Sequence, residues 1–172
     1  MNIHKVKPAD SAELSILCQR IYEQHFLYLW TDSGAWYINK VYNAVQLKHE
    51  IADNNSDYFF YSFDNQLIGY LKVNYSKTLE GEENADCLEV ERIYFLKEFV
   101  GKGFGKQLMN YAFDIAQKLN KGFIFLKLMD SSVESKAFYE KMGFQLCGTA
   151  HLDFETMLPE FRGMLVMKKS LQ

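Results

Sequence analysis

The sequence is short of the residues that break, staple or anchor a chain. Only two of its 172 residues are proline and ten are glycine, which argues against a long disordered linker. Cysteine is scarce as well. Cys18, Cys87 and Cys147 lie far apart without CxxC spacing, and an odd count of three points to a reducing interior, the cytoplasm. No stretch approaches the ~18 apolar residues that cross a bilayer. Met1 to Lys7 lacks the apolar centre of a signal peptide, so no membrane partner is expected. A strong charge excess is missing too: the net charge of −3 argues against a general binder of phosphate backbones, and no nucleic-acid partner is expected. The four histidines, at 4, 25, 49 and 151, show no ligand spacing, so no metal is expected.

What is present suits one domain over residues 1–172. The content is 48% hydrophobic and 24% charged, enough to bury a sizeable core. Residues 2–7 read as a short strand. Ala12 to Phe26 carries a helical stripe at Leu14, Leu17, Cys18, Ile21 and Tyr22, which places the Cys18 thiol in the core. Residues 35–53 form a helical region broken near Asn43. Strands follow at 58–63 and 67–75 around an Asp64-Asn65 turn, then a polar acidic loop at 76–86 and a strand at 87–96. A helix opens after residues 101–105, with apolar positions at 104, 108, 112, 115 and 119. Strand 122–128 is apolar except for Lys127. A short helix over 132–142 stops at Gly143, and strands at 144–150 and 165–169 close the chain. The element order describes a mixed α/β domain.

The tract Gly101-Lys102-Gly103-Phe104-Gly105 between a strand and a helix has the makings of an anion site. Free amides and the positive helix end converge there, and glycine lets a phosphate approach the backbone. Two familiar motifs fail on residues. A Walker A loop needs Ser or Thr after the lysine and glycine at position 100, where this chain has Gln107 and Val100. A dinucleotide fingerprint needs its third glycine where Lys106 stands.

Three segments in order, Glu89-Val90-Glu91-Arg92-Ile93-Tyr94-Phe95, Val100 to Gly105, and Ala137-Phe138-Tyr139-Glu140-Lys141-Met142-Gly143-Phe144, resemble the GNAT superfamily of N-acetyltransferases. The likeness covers residues 58–150 well and the remainder by element order. Within the superfamily, YFFYSFDNQLIGYLKVN and LEVERIYF look most like the PaiA-type spermidine/spermine enzymes. The resemblance implies a mixed, mainly antiparallel sheet of about seven strands with helices on both faces. It implies acetyl-CoA as co-substrate and direct acetyl transfer to a primary amine of a small molecule, with a polyamine as the favoured acceptor and a homodimer as a possible state. A protein or peptide acceptor, or a non-catalytic coenzyme-binding module, stands as the alternative.

Site residues follow from the same resemblance. Val100, Gly101, Lys102, Gly103, Phe104, Gly105 and Lys106 would hold the pyrophosphate, mainly through amides. Ile93, Tyr94 and Phe95 would run beside the pantetheine arm as another strand would. Ser132 and Ser135 would meet the same arm, Ser132 standing where the family often has Asn, just as Val100 stands where it usually has Gln or Arg. Tyr139 would protonate the departing thiolate. Glu91 alternates with Ile93 and Phe95, so all three should share one strand face, where the carboxylate would receive the substrate ammonium proton. An ion pair with Arg92 is the competing reading. Glu80, Glu82, Glu83 and Asp86 are either a solvated loop or a cation-attracting rim. Trp30, Trp36, Tyr37 and Tyr42 are either core or a cation–π surface.

Overall fold

A computed structural model describes residues 2–79, 81 and 86–171. Strand β1 (Asn2–Lys5) leads into helices α1 (Ser11–His25), α2 (Ala35–Val41) and α3 (Ala44–Ala52). The break expected near Asn43 is real, and Asn43 causes it: its Oδ1 accepts the Gln46 amide at 2.8 Å and caps α3. Strands β2 (Ser56–Phe63) and β3 (Gln66–Asn74) form the hairpin, with Asp64 and Asn65 both at positive φ (48° and 61°) in its two-residue turn. Then come β4 (Cys87–Phe95), α4 (Phe104–Lys118), β5 (Phe123–Met129), α5 (Val133–Lys141), β6 (Gln145–His151) and β7 (Gly163–Ser170).

The strands make one seven-stranded sheet in the order β1-β2-β3-β4-β5-β7-β6. Among the described residues only β4 and β5 pair in parallel; every other ladder is antiparallel. Apolar layers cover both faces. On one, Leu108, Met109, Ala112 and Ala116 of α4 lie on Leu71, Val73, Leu88, Val90, Ile124 and Leu126. Ala112 and Ala116 let that helix approach closely, so its buried stripe runs through them and leaves Leu119 46% exposed. On the other face Leu14, Leu17, Cys18 and Ile21 of α1 join Leu47 and Ile51 of α3 over Phe60 and Tyr70. Cys18 is buried as its stripe indicates, and burial pushes its thiol pKa up to about 12.

The segment from 152 to 162 crosses from the end of β6 back to the α1–α2 connection. The Thr31 amide donates to the Thr156 carbonyl at 2.9 Å, the Leu158 amide to the Leu29 carbonyl at 2.9 Å, and Met157 bridges Trp30. This strap buries Met157 against Trp30 and Tyr42. No helix among the described residues is long and apolar enough to cross a membrane.

Candidate active site

The site begins with one extra residue. Val73 of β3 faces Val90 of β4, but Lys72 faces Arg92, leaving Glu91 without an opposite number. Such a bulge bends its strand. On the other side β4 keeps its parallel register with β5 only from Cys87↔Phe123 to Val90↔Leu126. Beyond that rung the two strands part, and a cleft of about 760 Å3 opens between them. Glu91, Ile93, Tyr94 and Phe95 form one arm and Lys127, Leu128 and Met129 the other. The glycine loop and α5 line it on one sheet face, His25, Phe26 and Tyr28 on the other.

The loop is shaped for an anion. Gly101 and Gly103 adopt φ of +77° and +85°, values that a side chain resists, and a Cβ at either would meet nothing within 4 Å. Gln107 is the first α4 amide to bond back, to the Gly103 carbonyl at 3.4 Å. The amides before it belong to the helix end that has no internal acceptors, and the dipole of the 15-residue helix adds to them. Val100, Gly101, Gly103, Gly105 and Lys106 line the cleft. Phe104 turns into the core against Tyr61, Phe63, Phe95 and Phe99 and so offers its amide alone. Lys102 lies outside the lining, its Nζ 5.3 Å from the Phe99 ring centre. Ser132 and Ser135 both line the cleft, the first hydroxyl donating to the second at 2.7 Å. An open cradle of amides beside a splayed strand edge fits the pyrophosphate and pantetheine arm of coenzyme A.

Tyr139 of α5 is only 8% exposed. Phe138 and Phe144 hold its ring edge-on at 5.1 and 5.7 Å. Burial, with Tyr94 adding to it, raises the phenol above its ordinary pKa. A phenol is protonated at neutral pH in any case, and this rise extends that state to higher pH; Tyr139 is among the residues that line the cleft. Tyr94 rises for the same first reason, burial, and packs on Phe26 across the cleft.

Glu91 departs from the expected face. The bulge breaks the alternation, so Ile93 and Phe95 pack with the α4 layer while Glu91 joins the polar groups of the opposite face. Its Oε2 accepts from Asn74 Nδ2 at 2.7 Å and meets Lys72 Nζ at 2.8 Å, and its Oε1 meets Arg92 at 3.0 Å. Lys72 and Arg92 also reach Glu50 of α3, at 2.7 and 3.4 Å. Burial would raise the Glu91 carboxyl, but Arg92 and Lys72 outweigh it and the group is held below its usual range. The ion pair with Arg92 is thus formed, while the carboxylate still lines the cleft.

This cluster has a measurable signature. Burial opposes ionisation of Glu50, yet Arg92 and Lys72 prevail and hold its pKa at about 2. A carboxyl depressed in the folded state stabilises fully above its unfolded pKa and ceases to as pH falls through the folded one. Urea midpoints should therefore fall from about pH 5 toward pH 2, and Glu50→Gln should flatten that limb. An equally steep acid limb in the variant would assign it elsewhere.

Other sequence expectations land away from the cleft. Glu80, Glu82 and Glu83 lie outside the described residues. Asp86 pairs with Lys121 at the start of β4, the end remote from the cleft. Trp30 and Tyr42 are buried, Phe154 of the strap packs on Trp30, Trp36 and Tyr37, and Lys40 covers Trp36 at 4.6 Å; none of the four aromatics lines the cleft. Conversely His25, whose Nε2 lies 3.0 Å from the Phe95 carbonyl oxygen, enters the lining without any motif to announce it. Among the described residues no cluster of His, Cys, Asp or Glu is grouped to hold a metal.

Known proteins resemble the chain in sequence and in fold. Over 112 residues the chain is 32% identical to an uncharacterised N-acetyltransferase of Lactobacillus delbrueckii subsp. lactis, a match spanning 65% of each chain. It is 31% identical over 85 residues to streptothricin acetyltransferase of Streptomyces lavendulae, 49% of this chain and 42% of that one. The matches therefore span less than two thirds of these relatives' lengths. The crystal structure of PaiA N-acetyltransferase from Thermoplasma acidophilum with coenzyme A shares the fold at a TM-score of 0.74, 20% identity and 98% coverage of both chains. Residues 17–144 match the acetyltransferase (GNAT) family, and the chain belongs to it.

Proposed function

We propose that the chain transfers an acetyl group from acetyl-CoA directly to a primary amine of a small molecule. The observation that carries this is the splayed β4–β5 pair, with an amide cradle at one side and a buried, protonated Tyr139 in its wall. Acetyl-CoA supplies the acetyl group as a thioester. The amides from Gly101 to Lys106 hold its pyrophosphate, Ser132 and Ser135 meet the arm, and the edge of β4 at Ile93–Phe95 aligns it by main-chain pairing. As the C–N bond forms and the C–S bond breaks, the Tyr139 hydroxyl donates to the sulfur that takes up negative charge. Glu91, charged at neutral pH, draws the ammonium in and passes its proton to water, since a carboxyl held this low does not retain one.

The strap supports a small acceptor over a peptide, because it ties the β6–β7 connection to the α1–α2 connection and its Phe161 packs edge-on against the cleft residue Tyr28 at 5.2 Å. The relatives' names divide on this point. Streptothricin acetyltransferase names a small molecule, whereas a ribosomal-protein-alanine N-acetyltransferase from Brucella melitensis, similar in fold (TM-score 0.72, 18% identity, 99% and 100% coverage), names a protein. A polyamine remains one such small amine; of the loop carboxylates that would favour it, Glu80, Glu82 and Glu83 lie outside the described residues, and Asp86 pairs with Lys121.

A thiol-release assay with acetyl-CoA and a panel of polyamines, aminoglycosides, amino acids and peptides tests the proposal. Turnover should appear with small amines, and its absence across the panel would end this reading. Glu91→Gln should lower kcat/KM for the amine by about 100-fold, the scale of proton-transfer assistance, while acetyl-CoA still raises the melting temperature. Equal activity in parent and variant would leave Glu91 as a member of the ion-pair cluster only.

A further inference from the structure

Strand β5 is apolar and largely buried along its length except at Lys127, which is exposed. A lysine in so apolar a strand needs a reason. Its neighbours Leu126 and Leu128 pack under α4, whereas Phe125 and Met129, two residues away on either side, belong to the layers of the opposite face. Alternation puts Lys127 on that opposite face, away from the glycine loop and α5. It makes no ion pair with any described residue, yet it lines the cleft.

Its place on the strand matters as much as its charge. Val90↔Leu126 is the last rung joining β4 to β5, so Glu91 and Lys127 are the first residues beyond it, one on each arm. Paired strands stand ~4.8 Å apart, and these two start from that spacing as the arms diverge. An anion and a cation therefore flank the narrow end of the acceptor side. Glu91 is restrained from the β3 side by Lys72, Asn74 and Arg92, while Lys127 is left to meet something else. A second ammonium on the acceptor would be repelled there.

Building on the acetyltransferase reading above, we propose that the acceptor is a small amine carrying an anionic group close to its nitrogen, and that Lys127 binds that group while Glu91 receives the amine. A carboxylate, as in an α-amino acid, fits the short separation; a phosphate offers the same chemistry. Lys127 is a specificity residue on this account and takes no part in proton transfer.

Matched acceptor pairs decide it: α-amino acids against their amides, and phosphoethanolamine against ethanolamine, each with acetyl-CoA. The parent should favour the anionic member of at least one pair by about 10-fold or more in kcat/KM, and whichever pair does so identifies the anion. Lys127→Gln should reduce that ratio by about 10–100-fold, the range of a charge-assisted hydrogen bond, and Lys127→Arg should preserve it. No preference in the parent, or a ratio that survives Lys127→Gln, overturns the inference while leaving the acetyltransferase reading standing. A loss of acetyl-CoA affinity in Lys127→Gln as large as the loss of activity, measured by equilibrium dialysis, overturns it too, by assigning the lysine to the coenzyme. Absence of turnover with every amine instead removes the acetyltransferase reading, and this inference with it.

Discussion

Gly103→Asp should abolish the response to acetyl-CoA while leaving the fold in place. In the parent, ligand at about 100 times its dissociation constant adds ~2.7 kcal/mol. For a chain of this size that raises the melting temperature by about 5–10 °C. In the variant the rise should shrink to about 1 °C or less. Gly103 sits at φ +85° directly before α4, and a Cβ there points into open space. An aspartate would put negative charge among amides turned toward the pyrophosphate, and its strain, about 1 kcal/mol, is borne equally with and without ligand. Gly103→Ala carries the strain without the charge and should weaken binding far less. Calorimetry or thermal shift on the three proteins is sufficient, and an unimpaired shift in Gly103→Asp would locate the coenzyme elsewhere.

Tyr139→Phe should lower kcat by about 10–1,000-fold and leave acetyl-CoA affinity within a few-fold. The substitution keeps the ring that packs on Phe138 and Phe144 and deletes one hydroxyl, so binding and stability have little reason to change. Full proton transfer from a phenol raised by burial to a thiolate of ordinary pKa is uphill. The effect should therefore come from a hydrogen bond strengthened as charge builds on sulfur. Single-turnover measurements isolate the chemical step, and an unchanged rate there would return Tyr139 to a packing role.

The distribution of these residues explains what could be read from the sequence. Local chemistry was legible: a break near Asn43, Asp64-Asn65 as a turn, the stripe through Cys18, and alternating glycines before an amphipathic helix. Each is decided within a few residues of itself. The bulge at Glu91 is fixed by pairing with β3, across the register from Asn74 to Lys72, and its one trace in the sequence is the doubled polar pair Glu91-Arg92 between the core residues Val90 and Ile93. The strand-face expectation for Glu91 failed there. His25 and Tyr28 reach the cleft from the end of α1 through packing that brings Phe26 onto Tyr94, a contact 68 positions apart in sequence. Lys127 was visible as the odd residue in an apolar strand. Its meaning depends on where β4 and β5 stop pairing.

That stopping point gives the molecule two doors. A sheet ordinarily seals its faces from each other, but the cleft beyond Val90 and Leu126 is lined from both of them, so that on the proposed reading a thread would enter from the α4 and α5 side and end in the plane of the strands. A visitor from the α1 side can meet it there without sharing its entrance. One side joins the glycine loop to Ser132, Ser135 and Tyr139, the other presents Glu91, Tyr94, Lys127, His25 and Phe26. Lys127, exposed and without an ion pair to any described residue, can be exchanged for another side chain with little disturbance to the first. The same frame can thus be refitted for new visitors while the thread it admits stays the same.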